Sequence, residues 1–282
     1  MTLYISDLDG TLLNSDQVIS ENSVKIINRL IGLGLKFTIA TARSYEASKN
    51  ILRPLHLNLP MILNNGSFVY DPVLNKNIRE NYLDNSMVEF ILMHYTLRKI
   101  CPFVSVIDSG GNKKIFYKGI FNEGQKIYIN SRKRLEDKRL TIVKDFSILK
   151  GYNVINIFAI EKKGDLDCSY KLFENILDAT CHYTEEIYSK GFFWLEVTNS
   201  CANKKSAAEF LKKYLKIDKL ICFGDNLNDK SLFEIADEKY AVENAYRPLK
   251  DIATGIICSN DEDGVAKFFQ DKYGEFKGEN KL

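Results

Sequence analysis

The sequence predicts an α/β fold: a doubly wound, Rossmann-like parallel-sheet core with an inserted α+β cap domain. Three observations lead there. Short apolar runs alternate with helix-period stretches from Leu3 to Leu63, the pattern of strands and crossover helices in a parallel sheet. That alternation breaks from about Asp84 to Lys190 and then resumes. In the alternating parts, runs stop in polar clusters, namely Asp7/Asp9, Thr41/Arg43, Asn64/Asn65 and Gly224–Asp229. In an open α/β sheet such ends line one edge, where ligands bind. The expected boundaries are 1–83 and 191–282 for a discontinuous core and 84–190 for the cap.

The first element is the strand Leu3–Ile5, which ends in Asp7-Leu8-Asp9-Gly10. Ser20 is placed to cap a helix over 21–33, with Val24, Ile27, Leu30 and Ile31 at helical spacing and Gly34 as its stop. Leu35–Ala40 is the second strand, followed by Thr41-Ala42-Arg43-Ser44 and a helix that ends before Pro54. Met61–Leu63 is the third parallel strand. The cap begins with a helix over 86–99, then strand-like pieces at Phe103–Ile107 and Lys114–Tyr117 and a basic polar stretch from Ser131 to Arg139. Val154–Ile160 is a buried strand, 167–177 a helix, and 186–189 a strand. In the resumed core, Phe193–Val197 is a strand and Lys204–Leu215 a helix with Ala207, Ala208, Leu211 and Leu215 inward. Lys219–Phe223 is a strand. Tyr240–Val242 and Gly255–Cys258 are the last core strands, Asp263-Gly264 precedes a final helix, and the tail after Tyr273 is polar and expected to fray.

Composition narrows the function classes. The 282 residues suffice for one large or two modest domains, with 45% hydrophobic and 27% charged residues as in globular proteins. A net charge of +2 argues against a polyanionic partner such as nucleic acid. No apolar run approaches the ~20 residues of a membrane span. The first residues read as a strand rather than a leader, so the expected location is the cytoplasm. The six cysteines are scattered, with no pairing motif for zinc, and fit a reducing compartment. Cys222 and Cys258 lie in apolar runs, where a thiol behaves as a small hydrophobe. A weak homo-oligomer is left open by the sequence.

Two carboxylates one residue apart repel each other, so they call for a cation or a shared proton. A hard cation such as Mg2+ takes one or two carboxylates and then phosphate oxygens. One aspartate could then attack phosphorus while the other handles a proton. From these two residues alone, a calcium-type surface loop or a helix N-cap pair is the plainer reading. The remaining strand ends shift the balance. They add Asp225 and Asp229, the Thr41 hydroxyl, the amides of Asn65 and Asn228, and Lys204 or Lys205. Together these are the parts of a phosphoryl-transfer site, and Thr41 and Lys204 each precede or open a helix whose free N–H groups suit phosphate.

Over nearly its whole length the chain resembles the haloacid dehalogenase-like phosphatase superfamily, in particular its Cof-type branch with a large α/β cap. Asp7-Leu8-Asp9-Gly10-Thr11 matches the first motif, which implies that Asp7 is the phosphorylated nucleophile and Asp9 the general acid/base. Thr41 matches the second motif, a phosphoryl-binding hydroxyl. Lys204 matches the third, a lysine that neutralises nucleophile and phosphate, with Lys205 as the rival register. Gly224–Asp229 matches the fourth, with Asp225 as the metal ligand. Asn65-Gly66 and Ser259–Ala266 also resemble segments of this branch. The implied phosphate contacts are Leu8, Gly10, Ala42, Arg43, Asn65, Gly66 and Asn228. The implied Mg2+ set is Asp7, Asp9 through its carbonyl, Asp225, Asn226 and Asp229. Two departures stand out. Thr41-Ala42-Arg43 replaces Thr-Gly-Arg, and Asn199–Asn203 replaces a Pro- and Gly-containing loop before the lysine.

The resemblance implies a Mg2+-dependent phosphatase of a small phosphorylated metabolite, such as a sugar phosphate, pyridoxal phosphate or flavin mononucleotide. The reaction would pass through an aspartyl-phosphate, with the cap closing over the site. A phosphomutase and a non-catalytic phosphometabolite sensor are the alternatives. Asn112–Arg139 holds nine Lys/Arg against three acidic residues, with Phe116, Tyr117, Phe121 and Tyr128 interleaved. It reads as a solvated cap face over packed aromatics rather than a nucleic-acid surface. His56, His94 and His182 read as structural or surface residues. Trp194, with Phe192 and Phe193, reads as packing at the join of cap and core. Arg43 is open between binding phosphate and anchoring its loop by a salt bridge.

Overall fold

The computed structural model describes residues 1–134, 136–176, 178–185 and 189–274. It divides into two units, Met1–Glu80 with the chain from Ala202 on, and Asn81–Cys201. The first unit opens with β1 (Thr2–Ser6), whose Leu3, Tyr4 and Ile5 are all buried. A strand covered on both faces has no need to alternate. The helix α1 (Glu21–Gly32) begins where the Ser20 hydroxyl accepts the Ser23 N–H at 3.0 Å and buries Ile27, Leu30 and Ile31. It ends at Gly34, whose φ of 106° suits a residue without a Cβ. Then come β2 (Lys36–Ile39), α2 (Tyr45–Leu52), β3 (Met61–Leu63), β4 (Phe68–Asp71) and β5 (Lys76–Glu80).

Met61–Leu63 is a strand, as expected, but not a full member of the parallel sheet. It meets that sheet through one parallel bridge, Ala40 to Ile62, and pairs antiparallel with β4. The reason lies in Asn64, Asn65 and Gly66, with φ of 50°, 52° and 102°. Three left-handed residues in a row reverse the chain at once, and the returning β4 becomes the partner.

The second unit contains α3 (Asn85–Leu97), β6 (Phe103–Ile107), β7 (Lys113–Tyr117), α4 (Glu123–Arg134), β8 (Leu140–Ile142), β9 (Asn153–Lys162), α5 (Lys163–Ile176), β10 (Ala179–Glu185) and β11 (Phe192–Asn199). Its sheet runs β10-β11-β9-β6-β7-β8, antiparallel except where β7 meets β8. One face buries Val104, Val106, Ile157, Ala159, Leu195 and Val197 with Ile91 and Tyr95 of α3 and Leu166 and Phe173 of α5. On the other, Ile129 of α4 packs on Phe103, Ile115, Phe158 and Ile160.

Here the sequence reading needs corrections. Phe193–Val197 lies in this antiparallel sheet, between β9 and β10, and not in the core. Its side chains alternate between the two faces of the cap, which an apolar run of this composition does not reveal. Trp194 stacks on Phe158 within the cap sheet, with centroids 4.1 Å apart, rather than closing a join. The basic stretch hides the end of α4. Its Gly124 lets the Phe192 ring approach to where a Cβ would lie 2.7 Å away. Phe116 is buried on the α3/α5 face and Ile129 on the α4 face, but Phe121 is exposed. Most of the strand expected at 186–189 falls on residues outside the described ones.

The first unit then resumes with α6 (Lys204–Tyr214), β12 (Lys219–Gly224), α7 (Lys230–Ile235), β13 (Glu238–Val242), α8 (Arg247–Lys250), β14 (Gly255–Ile257) and α9 (Gly264–Tyr273). The Asn203 side chain caps α6 by accepting the Ser206 N–H at 2.8 Å. The parallel sheet has the order β14-β13-β12-β1-β2, which puts β1 and β12 side by side at its centre. Cys222 is buried as expected, whereas Cys258, just past β14, is exposed. Asp263 accepts from Ser20 Oγ at 2.5 Å, Ser23 Oγ at 2.9 Å and Asn22 Nδ2 at 3.0 Å, so the start of α9 is tied to the start of α1. Of the tail expected to fray after Tyr273, residues 275–282 lie outside the described residues. Among the described residues no helix is long and apolar enough to cross a membrane.

Candidate active site

The two central strands β1 and β12 end together. The Asp7 N–H still donates to the Phe223 carbonyl at 3.0 Å, which fixes Asp7 at the sheet edge next to Gly224-Asp225. The helix α6 starts beside them and sends in Lys204. Its ammonium donates to Asp7 Oδ1 at 2.5 Å and to Asp229 Oδ1 at 2.6 Å, and all three side chains are buried. Lys205 points elsewhere and pairs with Glu234 at 3.3 Å on the surface.

Asp229 is engaged on both oxygens, because its Oδ2 accepts the N–H groups of Asp225 and Asn226, each at 3.1 Å. It therefore positions Lys204 and the Asp225 loop. Gly224 must lack a side chain, since a Cβ there would fall 2.7 Å from the Asp229 carboxyl carbon. Gly10, at φ 72°, is similarly constrained, because its Cβ would lie 2.6 Å from Asp225 Oδ2. The Thr11 hydroxyl donates to Asp225 Oδ1 at 3.2 Å. Thr11 is part of the first motif, yet its chemistry gave no advance sign of this role. The same holds for Asn244, which donates to the Gly10 carbonyl at 2.8 Å and so ties down the loop that follows Asp7.

At the ends of β2 and β3, Thr41 is fully buried. Its Oγ1 accepts the Arg43 N–H at 3.0 Å, so the hydroxyl proton is not used in that bond. Arg43 grips Asp9 with two guanidinium bonds, Nε to Oδ2 at 2.8 Å and Nη2 to Oδ1 at 2.5 Å, and also reaches Gln17 at 3.1 Å. Of the two roles open to Arg43, the structure displays the salt bridge. Asp9 raises the Arg43 pKa, against the opposing effect of burial. The Thr41 carbonyl accepts the Asn65 N–H at 2.9 Å, and Asn65 Oδ1 accepts Asn228 Nδ2 at 3.3 Å. A Cβ on Gly66 would overlap the Asn203 carbonyl. Leu8 is buried and its carbonyl closes the turn to Leu12. Ala42 and Asn226 are exposed, and the Asn226 side chain accepts the Leu227 N–H at 2.7 Å, capping its own turn.

The electrostatics suit a cation. Burial pushes the Asp7 carboxyl well above its usual range. Lys204 opposes this, and Asp229 and Asp225 add to it. Burial and Asp229 push Asp225 up to about 6 despite the Thr11 bond. Burial disfavours the Lys204 ammonium, but Asp229 and Asp7 more than offset it and raise its pKa. Oxygens of Asp7, Asp225 and Asp229 lie within 4.8 Å of one another. Lys204 and the loop amides account for both oxygens of Asp229 and one of Asp7. That leaves the other Asp7 oxygen and Asp225 as hard donors with one balancing ammonium. Such an oxygen set fits a small divalent cation.

Comparison with known proteins adds likenesses of sequence and of fold. The sequence model of a family described as haloacid dehalogenase-like hydrolase matches residues 4–269. The chain is 26% identical to Phosphatase YwpJ of Bacillus subtilis, covering 94% of this chain and 98% of that protein. It is 25% identical to 5-amino-6-(5-phospho-D-ribitylamino)uracil phosphatase YitU of the same organism, covering 96% and 97%. Among solved structures, a haloacid dehalogenase-like hydrolase from Bacteroides thetaiotaomicron superposes with a TM-score of 0.76 at 22% identity, over 96% of this chain and 99% of that one.

Proposed function

We infer the reaction from the premise that this chain belongs to the haloacid dehalogenase-like hydrolase family and is a phosphoric monoester hydrolase. We propose that it is Mg2+-dependent and works through an aspartyl-phosphate on Asp7. The observation that carries this is the buried Lys204 ammonium between Asp7 and Asp229, with the Asp7 and Asp225 carboxylates close enough to share a cation.

Asp7 and Asp225, with the Asp9 carbonyl, would hold the ion, which supplies charge neutralisation for the bound phosphate. The Asp7 oxygen not bound to Lys204 forms a bond to phosphorus as the bond to the substrate oxygen breaks. Asp9 must first leave Arg43 and take up a proton from solvent, and it then gives that proton to the departing oxygen. Asp9 then takes a proton from water, whose oxygen attacks phosphorus, releases phosphate and restores the Asp7 carboxylate. Throughout, Lys204, the Thr41 hydroxyl and backbone N–H groups hold the remaining phosphoryl oxygens, where charge accumulates.

The substrate is a small phosphorylated metabolite of the sugar phosphate, pyridoxal phosphate or flavin mononucleotide class. The relatives named for a phosphoribitylamino-uracil support a phosphomonoester of that size. Hydrolysis of p-nitrophenyl phosphate and of a metabolite panel, with Mg2+ and with EDTA, tests the reading. Turnover should need Mg2+, and Asp7→Asn should lower it by at least about 10⁴-fold. A rate indifferent to EDTA, or Asp7→Asn turnover near wild type, overturns it.

A further inference from the structure

The short segment after β13 bonds to both loops of the candidate site, and the mechanism above does not use it. In the parallel sheet β13 pairs with β12 and not with β1. Beyond its last residue, Val242, the Tyr246 N–H donates to the Asp225 carbonyl at 2.8 Å and holds the loop after β12. Asn244 reaches the loop after β1, where its Nδ2 donates to the Gly10 carbonyl at 2.8 Å. The segment 244–246 thus grips the backbone of both loops. All of these residues belong to the unit formed by Met1–Glu80 and the chain from Ala202 on.

The orientation of the Asn244 amide is itself set. Its Oδ1 accepts the Asn260 N–H at 3.0 Å, which assigns its Nδ2 to the Gly10 carbonyl. Asn260 is buried, and its own Nδ2 donates to the Leu13 carbonyl at 2.9 Å, farther along the same loop. The two amides pin the loop at two places, Asn244 at Gly10 and Asn260 at Leu13.

Of these two places Gly10 is the one that bears on the site. At φ 72° it packs so closely on Asp225 that a Cβ would lie 2.6 Å from Asp225 Oδ2. The Thr11 hydroxyl, one residue on, donates to Asp225 Oδ1 at 3.2 Å. Gly10 therefore joins the two groups of oxygen donors, Asp7 and the Asp9 carbonyl on one side and Asp225 on the other. The bond from Asn244 fixes the Gly10–Thr11 peptide, and with it the approach of one group to the other. Leu13 lies beyond this point, and its N–H donates back to the Leu8 carbonyl at 2.9 Å. The Asn260 bond thus anchors the loop without acting on the contact with Asp225.

We propose that Asn244 is a positioning residue that sets the spacing of the Gly10 and Asp225 loops and, through it, the affinity for Mg2+. The inference rests on the Mg2+ reading above and deepens it by naming a group outside the ligand set. Mg2+ demands near-ideal octahedral geometry from its oxygen donors, so a small change in their separation weakens binding. Groups that orient a metal's ligands act on affinity without touching the ion.

Urea unfolding of the full chain at a series of MgCl2 concentrations reads that affinity with no substrate present. An ion that binds only the folded chain raises the midpoint by mass action. Asn244→Ala should raise the Mg2+ dissociation constant by about 10-fold, the lower end of the range for groups that orient metal ligands. The Mg2+ concentration for half-maximal hydrolysis of p-nitrophenyl phosphate should rise by a similar factor, and saturating Mg2+ should restore most of the turnover. Asn260→Ala keeps the backbone N–H that serves Asn244 and loses only the bond to Leu13. It should lower the urea midpoint in EDTA and leave the Mg2+ affinity at the wild-type value. Asn244 is exposed, so its variants should fold, and Asn244→Ser should weaken Mg2+ in the same direction as Asn244→Ala. Unchanged affinity in both Asn244 variants, or equal weakening in Asn260→Ala, overturns the inference and makes Asn244 a structural tie of the loop. Neither outcome touches the phosphatase reading. A wild type whose midpoint and turnover both ignore Mg2+ overturns the Mg2+ reading itself, and this inference with it.

Discussion

The edge of the parallel sheet and the polar row of the cap sheet are both clusters of polar side chains on central strands, but they are satisfied differently. At the parallel edge, Lys204 and the N–H groups of the Asp225 loop claim every oxygen of Asp229 and one of Asp7. What is left over is charge, in the form of raised carboxyl pKa values and room for a cation. In the cap row, Glu196 is matched by the neutral donors of Asn156 and Trp194, and what is left over is unpaired hydrogen-bonding capacity. The first arrangement suits the reaction centre proposed above, and the second contains polar atoms without a partner among the described residues. Disturbing each should therefore have a different signature.

The largest effect is expected at Lys204. Lys204→Met removes the one ammonium between two buried carboxylates and leaves them uncompensated, an error that costs about 3–5 kcal/mol. Urea unfolding should show that loss, and turnover of any phosphomonoester should fall with it. If Lys204→Met unfolds at the wild-type midpoint, the lysine is not holding the edge together. Lys205→Met, by contrast, breaks only an exposed pair with Glu234 and should leave the midpoint nearly unchanged.

A smaller effect of opposite sign is expected at Asp225. Its folded pKa of about 6 lies above the ordinary carboxyl value, so protonation favours the fold. That contribution is present in full below the ordinary value near 3.8 and is lost as pH rises through about 6. Without divalent cation at neutral pH, the ionised carboxylate thus opposes folding. Asp225→Asn should raise the unfolding free energy in EDTA by about 1–2 kcal/mol while abolishing Mg2+-dependent turnover. Adding Mg2+ should stabilise the wild type and not the variant. A variant less stable than wild type in EDTA would mean that the raised pKa does not reflect repulsion at this edge.

The two clusters also differed in how far the sequence revealed them. The parallel edge was largely readable, because Asp7, Thr41, Lys204 and Asp225 each sit at the end of a strand or the start of a helix, where local pattern marks the place. Thr11 and Asn244 were not, since their bonds to Asp225 and to the Gly10 carbonyl depend on loop paths that no periodicity encodes. The cap row was unreadable. Asn156 and Glu196 are 40 residues apart and meet only through antiparallel pairing of β9 with β11. Reading Phe193–Val197 as a core strand removed that pairing from view. α4 was missed for another reason, in that its charged exposed face outweighs the short buried stripe around Ile129.

The smallest effect sharpens the contrast from the cap side. Glu196→Gln keeps an oxygen for the Asn156 amide, but the new amide nitrogen faces the Trp194 N–H, so one hydrogen bond is lost. Glu196 is half-buried and pairs with no cation in the row, so no uncompensated charge results. Urea unfolding should therefore register only about 0.5–1.5 kcal/mol, well below Lys204→Met. A loss as large as that of Lys204→Met would show that Glu196 is structural to the cap sheet. The distinction between a cluster held by a buried charge and one held by neutral donors would then fail at its most direct test.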